Sequence, residues 1–537
     1  AHRASPPFAR REGLGVGSTP THHIPAMLPL LMGLSPLSLF ATITLYFFLL
    51  LFMAWWANRR SHNDNHNFFS ADQKSAWYLI AFGTIGGSLS GVTFVSVPGQ
   101  VGAGAENQQF AYWQIVLGYI VGYWIIAAVL LPIYYRLRLV SIYTYLEGRF
   151  GVMTYKTGAS FFVLSRSIGT AFRLFLTTMV LHNFIFAAFG LPFFVTVLGI
   201  LTLIFIYTYK GGIQTIVWTD AIQTIFMLAS VFFALYALSS ALGIGGLGEM
   251  WQRIEDAKLG QIFFFDNGWA DPNNFYKQFL AGVSVAIVMT GLDQDMMQKN
   301  LTCHSLWDAQ KNLIAFSIAV LVMNFVFLLL GALLSIYAAE NGIDVKPDKL
   351  FPTVALEHFS PLGALMFIIG LTAAAYASTD SALTALTTSF CVDLLGMGKN
   401  NDNSAADNGD MQAANRAVLL RRLVHVGFVL FVFAQILIFY WIDDQSIINS
   451  LLRLAGYTYG PLLGLYAFGI FTRRRVRDYA VPALAILSPV VTFLLNYYSV
   501  ELFWGYKFSF ELLIINGLLM FGGLCLLSVG MKTQNEK

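Results

Sequence analysis

AFGTIGGSLSGVTFVSVPGQVGAG, residues 81–104, is long and apolar enough to cross a bilayer, yet it holds seven glycines, five serines or threonines and Pro98. Glycine costs roughly 1 kcal/mol in a helix interior and proline about 3, so a segment that only anchored the chain is better built from Leu and Ala. Gly83, Gly87 and Gly91 recur at every fourth residue, a spacing that also serves close helix packing. A second interrupted segment tips the reading toward broken helices. In AGVSVAIVMTGLDQDMMQKN, residues 281–300, Gly291, Asp293 and Asp295 fall inside what is otherwise a continuous apolar helix. A break facing lipid leaves amides and carbonyls unpaired at several kcal/mol each, so breaks survive only where they line protein or water. Two of them at matching positions point to an inverted repeat of two five-helix halves, 77–242 and 276–472, with a binding site near the middle of the membrane.

Composition agrees with a membrane setting. The 537 residues are 57% hydrophobic and 11% charged, against roughly 25% charged in soluble domains, and the mean hydropathy is +0.64. A net charge of +3 on this background gives no reason to expect a nucleic-acid partner, and membrane lipid surrounds the chain instead. Cys303, Cys391 and Cys525 are distant and odd in number, which supports neither a disulfide framework nor a thiolate metal site. No P-loop pattern occurs, so nucleotide-driven pumping has no basis in the sequence.

At about 20 apolar residues per span, thirteen transmembrane helices are expected: 36–57, 77–104, 107–137, 159–188, 191–209, 214–242, 276–300, 311–339, 361–394, 415–441, 446–472, 479–498 and 509–531. Residues 1–35 read as a disordered tail, 36–76 as an extra first helix and loop, 243–275 as an extracellular loop, and 473–537 as two final helices with a short tail. With the N-terminus outside and the C-terminus cytoplasmic, one set of loops carries twenty lysines and arginines, Lys299 and Lys210 among them. The opposite set carries six. That asymmetry is the positive-inside pattern of a multi-pass protein of the plasma (inner) membrane.

Ionisable residues inside spans cost roughly 2.5–3.5 kcal/mol each even on lenient scales, and mark pairing or function. Arg166, Arg173, Asp220 and Asp380 are such residues. Arg166 and Arg173 lie two turns apart on one helical face, open to three roles: gripping a solute carboxylate, neutralising a buried aspartate, or reaching the interface. Asp380 sits among Ser378, Thr379, Ser381, Thr384, Thr387 and Thr388. Hydroxyls, carboxylates and free carbonyls are the hard oxygen donors that alkali cations take, although serines and threonines also bond back to their own helix.

YLEGRFG at 145–151, GGIQTIVWTDAIQ at 211–223, DQDMMQK at 293–299 and the hydroxyl-rich helix around Asp380 together resemble the sodium/solute symporter family. The resemblance covers residues 36–531 and implies an all-α polytopic membrane protein with the five-plus-five inverted-repeat transporter fold. It implies sodium-coupled transport of a small polar organic solute, with no enzymatic activity. It places sodium on the carbonyls of Gly86, Leu89, Ala374 and Ala377 and the hydroxyl of Ser378. A second cation site in some members uses the aspartate of the WTD motif, here Asp220, with serines on the eighth core helix. Ala377 lacks a hydroxyl and Asp380 stands where serine is usual, beside Ser381. That leaves Asp380 to strengthen the site, take up a proton, or pair with an arginine. Solute contacts implied are Ser88, Ser90, Thr93, Phe94 and Gln114, with Arg166 and Arg173 flanking the position of a carboxylate-binding arginine. A proton-coupled carrier working through Asp220 and Asp380, and a transporter-like solute receptor, are the rival readings.

Overall fold

The computed structural model describes residues 35–58, 77–102, 109–265, 268–397, 411–442, 447–503, 506 and 508–529. Most of the expected N-terminal tail, the 59–76 loop and most of the linker near 399–412 lie outside the described residues. The described residues are almost entirely helical, with a single two-residue β pairing among them, between Arg475–Val476 and Ser528–Val529. The main helices are α1 (Pro36–Asn58), α2 (Trp77–Ser88), α3 (Gly91–Gly99), α4 (Ala111–Ile125), α5 (Val152–Phe184), α6 (Phe193–Ala241) and α7 (Phe275–Ala286). They continue with α8 (Gln294–Leu301), α9 (Leu306–Asn341), α10 (Pro361–Ser389), α11 (Met411–Ile442), α12 (Ile447–Phe471), α13 (Val481–Tyr497) and α14 (Leu512–Leu527). Among the described residues, eight helices are long and apolar enough to cross a membrane by themselves, and ten if each of two bent pairs counts as one span.

Those bent pairs fall where glycine, proline and acid interrupt the apolar pattern. Helices α2 and α3 meet at 58°, and α7 meets α8 at 63° after a π-helical turn, Ile287–Gly291. At the first bend Ser90 is extended (φ −70°, ψ 176°) and its amide donates to the Ser88 carbonyl at 3.0 Å. At the second, extended Asp293 caps α8, accepting from the amides of Asp295 and Met296. The side-chain carboxylate thereby satisfies donors that a helix N-terminus otherwise leaves unpaired.

Helix α10 is the axle of the fold. Ser360 caps it and Pro361 occupies its first turn, the position where a missing N–H costs nothing. Every residue from Gly370 to Ser389 is buried, because α10 is enclosed by α1, α2, α5, α6, α8 and α11. A helix surrounded by protein has no lipid face, so its serines and threonines escape the hydrocarbon penalty. Thr379, Thr387 and Thr388 still bond back to carbonyls four residues earlier, at 2.7–2.9 Å, the self-satisfaction that their residue type allows.

One expectation is corrected. The separate spans 191–209 and 214–242 belong to a single run of helical hydrogen bonding, the 49-residue α6, with no break at Lys210–Gly212. Two glycines cost only about 2 kcal/mol in a helix, too little by themselves to end one. Apolarity still divides the run into Phe193–Thr208 and Ile216–Ala241.

Candidate functional site

The two bends expose backbone differently. At the second, the free carbonyls are already taken: the Tyr134 hydroxyl donates to Gly291 and the Tyr143 hydroxyl to Leu292, both at 2.8 Å. At the first, the Ser90 amide turns to Ser88 and so does not reach Gly86, its regular helical acceptor. The α3 ladder opens with Phe94 donating to Ser90, one residue past Leu89. Among the described residues no side-chain donor reaches the Gly86 or Leu89 carbonyl. Gly86 has to be glycine, since a β-carbon there would run into the Thr224 hydroxyl of α6. Across the gap is α10. A β-carbon added to Gly87 would stand 3.7 Å from the Ala377 carbonyl, and Ala374, Ala377 and Ser378 are all buried there. The Ser378 hydroxyl donates to the Ala375 carbonyl at 3.1 Å, which leaves its lone pairs free to accept or to coordinate. Carbonyls without partners beside a buried hydroxyl form a neutral, all-oxygen surface, the donor type that alkali cations take.

Beside this surface opens a cavity of about 100 Å³, bounded by Ser88, Ser90 and Thr93 of the first bend and by Tyr112, Tyr119 and Tyr123 of α4. Arg166 and Arg173 of α5, Thr290, Met296 and Asn324 complete its wall. A single water needs only about 10–15 Å³, so there is room for a small solute. Ser90 offers no side-chain cap to α3, and the first amides of that helix carry the partial positive charge that attracts anions.

The two arginines, equivalent on the helical wheel, differ in their surroundings. The Arg166 guanidinium is bonded to Asp295 and stands 3.6 Å from Asp293, with all three groups buried. Asp293 also accepts from the Tyr459 hydroxyl at 2.7 Å, and the Ser381 hydroxyl donates to Asp295. Arg166 thus neutralises buried aspartates and also lines the cavity. Arg173 has no hydrogen-bond or ion-pair partner among the described residues; the Nε atoms of both arginines are buried without one. Both arginines line the main cavity and a smaller one of about 10 Å³ against α12.

Asp220 and Asp380 take different hydrogen-bond partners. Asp220 accepts from the Lys299 ammonium at 2.7 Å, and both groups are buried. Lys299, counted among the loop cations from the sequence, therefore belongs to the core. Asp380 accepts from the Tyr207 hydroxyl at 2.9 Å and from the Ser381 amide; among the described residues no arginine pairs with it. Two expected solute contacts also lie elsewhere. Phe94 packs against Phe327, Phe351 and Phe367 at 5.3–6.1 Å between ring centres. The Gln114 amide is spent on the loop before α7, donating to the Asn273 carbonyl at 2.9 Å and accepting from the Phe264 amide at 3.1 Å. Neither residue lines the cavity.

Broken helices that meet a buried oxygen cradle and a solute-sized cavity define an ion-coupled secondary transporter. The chain belongs to the Sodium:solute symporter family, whose pattern it matches over residues 68–485. A sodium/sialic acid symporter of Aliivibrio fischeri is 26% identical over 453 residues, covering 82% of this chain and 83% of the relative. Another from Proteus mirabilis is 24% identical over 437 residues, covering 77% and 80%. A solved structure, the substrate-bound outward-open state of a Na+-coupled sialic acid symporter, has a TM-score of 0.75 at 19% identity. The match covers 92% of this chain and 99% of that one. The fold is accordingly the five-plus-five inverted repeat, and the chain is a multi-pass membrane transporter that couples sodium to a small organic solute, not an enzyme.

Proposed function

We propose that the protein takes up a small carboxylate-bearing solute together with sodium, by alternating access across the plasma membrane, with its N-terminus outside and its C-terminus cytoplasmic. The halves that move are residues 77–242 and 276–472. Sodium occupies the first bend, on the carbonyls of Gly86, Leu89, Ala374 and Ala377 and the Ser378 hydroxyl. There it stitches α2 to α10 and favours the state that admits solute, which requires different sodium affinities in the two states. The solute carboxylate meets Arg173 and the free amides of α3, while Ser88, Ser90 and Thr93 take its polar groups. Arg166 acts one step back, as the counter-charge that holds Asp293 and Asp295 in place.

The observation that carries the carboxylate reading is Arg173: a partly buried guanidinium facing a cavity, without a partner among the described residues. Burying an unpaired cation is costly, so the position makes sense when a ligand supplies the anion. The driving force is sufficient. One sodium with one monocarboxylate carries no net charge, so the membrane potential drops out and the sodium concentration gradient drives uptake: each tenfold of sodium gradient, about 1.4 kcal/mol, supports about tenfold accumulation. The test is a thermal-shift screen of the purified protein, comparing small carboxylic acids with their neutral amides, in sodium and in potassium. A ligand that binds the native state raises its apparent stability. Stabilisation by an acid in sodium, absent for its amide, is expected; equal stabilisation by both removes the carboxylate assignment.

A further inference from the structure

We propose that the Lys299 ammonium is a built-in second cation, so that a single sodium accompanies each solute. This rests on the sodium-coupled reading above and specifies its stoichiometry.

A second sodium beside α6 and α10 needs the Asp220 carboxylate and hydroxyls from α10. Several of those groups are already committed, although Asp220 Oδ1 and the Thr372 and Thr384 hydroxyls have no partner among the described residues. Asp220 Oδ2 receives Lys299 Nζ at 2.7 Å, with side-chain exposures of 0% and 1%. Ser381 donates its hydroxyl to Asp295, which Arg166 also holds. Asp380 accepts from Tyr207 and the Ser381 amide, and it lies within electrostatic range of Asp220 and Lys299. Residue 377 is alanine and brings no side-chain oxygen.

The ammonium is also well sited to act as a cation between the helices that move. It projects from α8, the second half of one broken span, to Asp220 on α6, and it abuts the end of the other broken span. A β-carbon on Gly87 would lie 3.0 Å from Lys299 Nζ, 3.7 Å from the Ala377 carbonyl and 3.9 Å from Asp220 Oδ2. Glycine at 87 leaves the ammonium room at the bend. One tethered charge thus joins α2, α6 and α8 where a free ion would otherwise be required. Asp220 Oδ1 has no partner, but a sodium placed there would share one carboxylate with a fixed positive charge and be repelled by it. Sodium at the first bend faces less opposition, because Asp220 neutralises Lys299.

The experiment counts sodium on the purified full-length protein with radiolabelled sodium at saturation and follows sodium-dependent thermal stabilisation as a function of concentration. One ion per chain with a non-cooperative curve is expected for the unmodified protein. Two ions per chain overturn the inference and leave sodium coupling intact; none overturns sodium coupling itself, and this inference with it. Lys299→Gln frees Asp220 and is expected to bind a second sodium. One ion in a folded Lys299→Gln protein shows that Lys299 was not the replacement, and overturns the proposal. Where that variant fails to fold, the double variant Asp220→Asn with Lys299→Gln keeps the interior neutral. It is expected to bind one sodium, as the parent does. A fall in the count relative to the parent identifies Asp220 as a sodium ligand and refutes the proposal.

Discussion

Replacing Arg166 and Arg173 one at a time by glutamine separates two roles that a helical wheel makes equivalent. Arg173 has no protein partner among the described residues, so Arg173→Gln leaves no buried acid uncompensated, and the fold is expected to persist. What it loses is a charge-assisted contact to the solute, worth about 1.5–3 kcal/mol. At about 1.4 kcal/mol per decade that corresponds to a roughly 10- to 150-fold weaker solute affinity, with sodium binding nearly unchanged. Arg166→Gln does the reverse. It strips the counter-charge from Asp293 and Asp295, and breaking a buried pair from one side costs about 3–5 kcal/mol of stability. Solute affinity of each detergent-purified variant, measured by calorimetry beside its thermal midpoint without ligand, gives both quantities. Unchanged solute affinity in Arg173→Gln, or a fully stable Arg166→Gln that has lost only solute binding, would refute the assignment.

Three further outcomes are expected. Ser378→Ala removes the one side-chain oxygen proposed for sodium, and the apparent sodium affinity should fall at least about tenfold, the loss that even outer-shell partners produce at metal sites; a sodium titration of the thermal midpoint reads it. Gln114→Ala releases the loop before α7, and hydrogen exchange at Phe264 and its neighbours should quicken, since the Phe264 amide loses its acceptor, while solute affinity stays within a factor of about two. Arg253→Ala breaks a half-exposed pair with Glu340 at 2.7 Å and should shift stability by no more than about 1 kcal/mol; a larger change in the melting curve would contradict the exposed geometry.

The bends were legible because the residues that cause them violate the pattern around them. Glycines and Pro98 interrupt one apolar run, and Gly291, Asp293 and Asp295 interrupt the other. Helix α10 declared itself through hydroxyls too numerous for a lipid-facing span. Partnership was much less legible. Lys299 looked like a loop cation because hydropathy scores charge without asking what neutralises it, and its acid, Asp220, is 79 residues away on another helix. Arg166 and Arg173 share a face of α5, and only the approach of α8 tells them apart. The family resemblance implies Gln114 as a solute contact, and a lone amide on an apolar helix carries no sign of the loop folded over it. One signal was available for Lys299: it is the only basic residue of α8, a helix whose first turn is acidic.

The most direct test is accumulation of radiolabelled short-chain and sugar carboxylates by proteoliposomes holding the purified protein, under an inward sodium gradient and under an equal potassium gradient. An acid that concentrates inside only while sodium flows in, and leaks back when the gradient is collapsed, is what the bend at Leu89 and the unpaired Arg173 lead one to expect. Accumulation indifferent to sodium, or confined to uncharged solutes, would contradict the account.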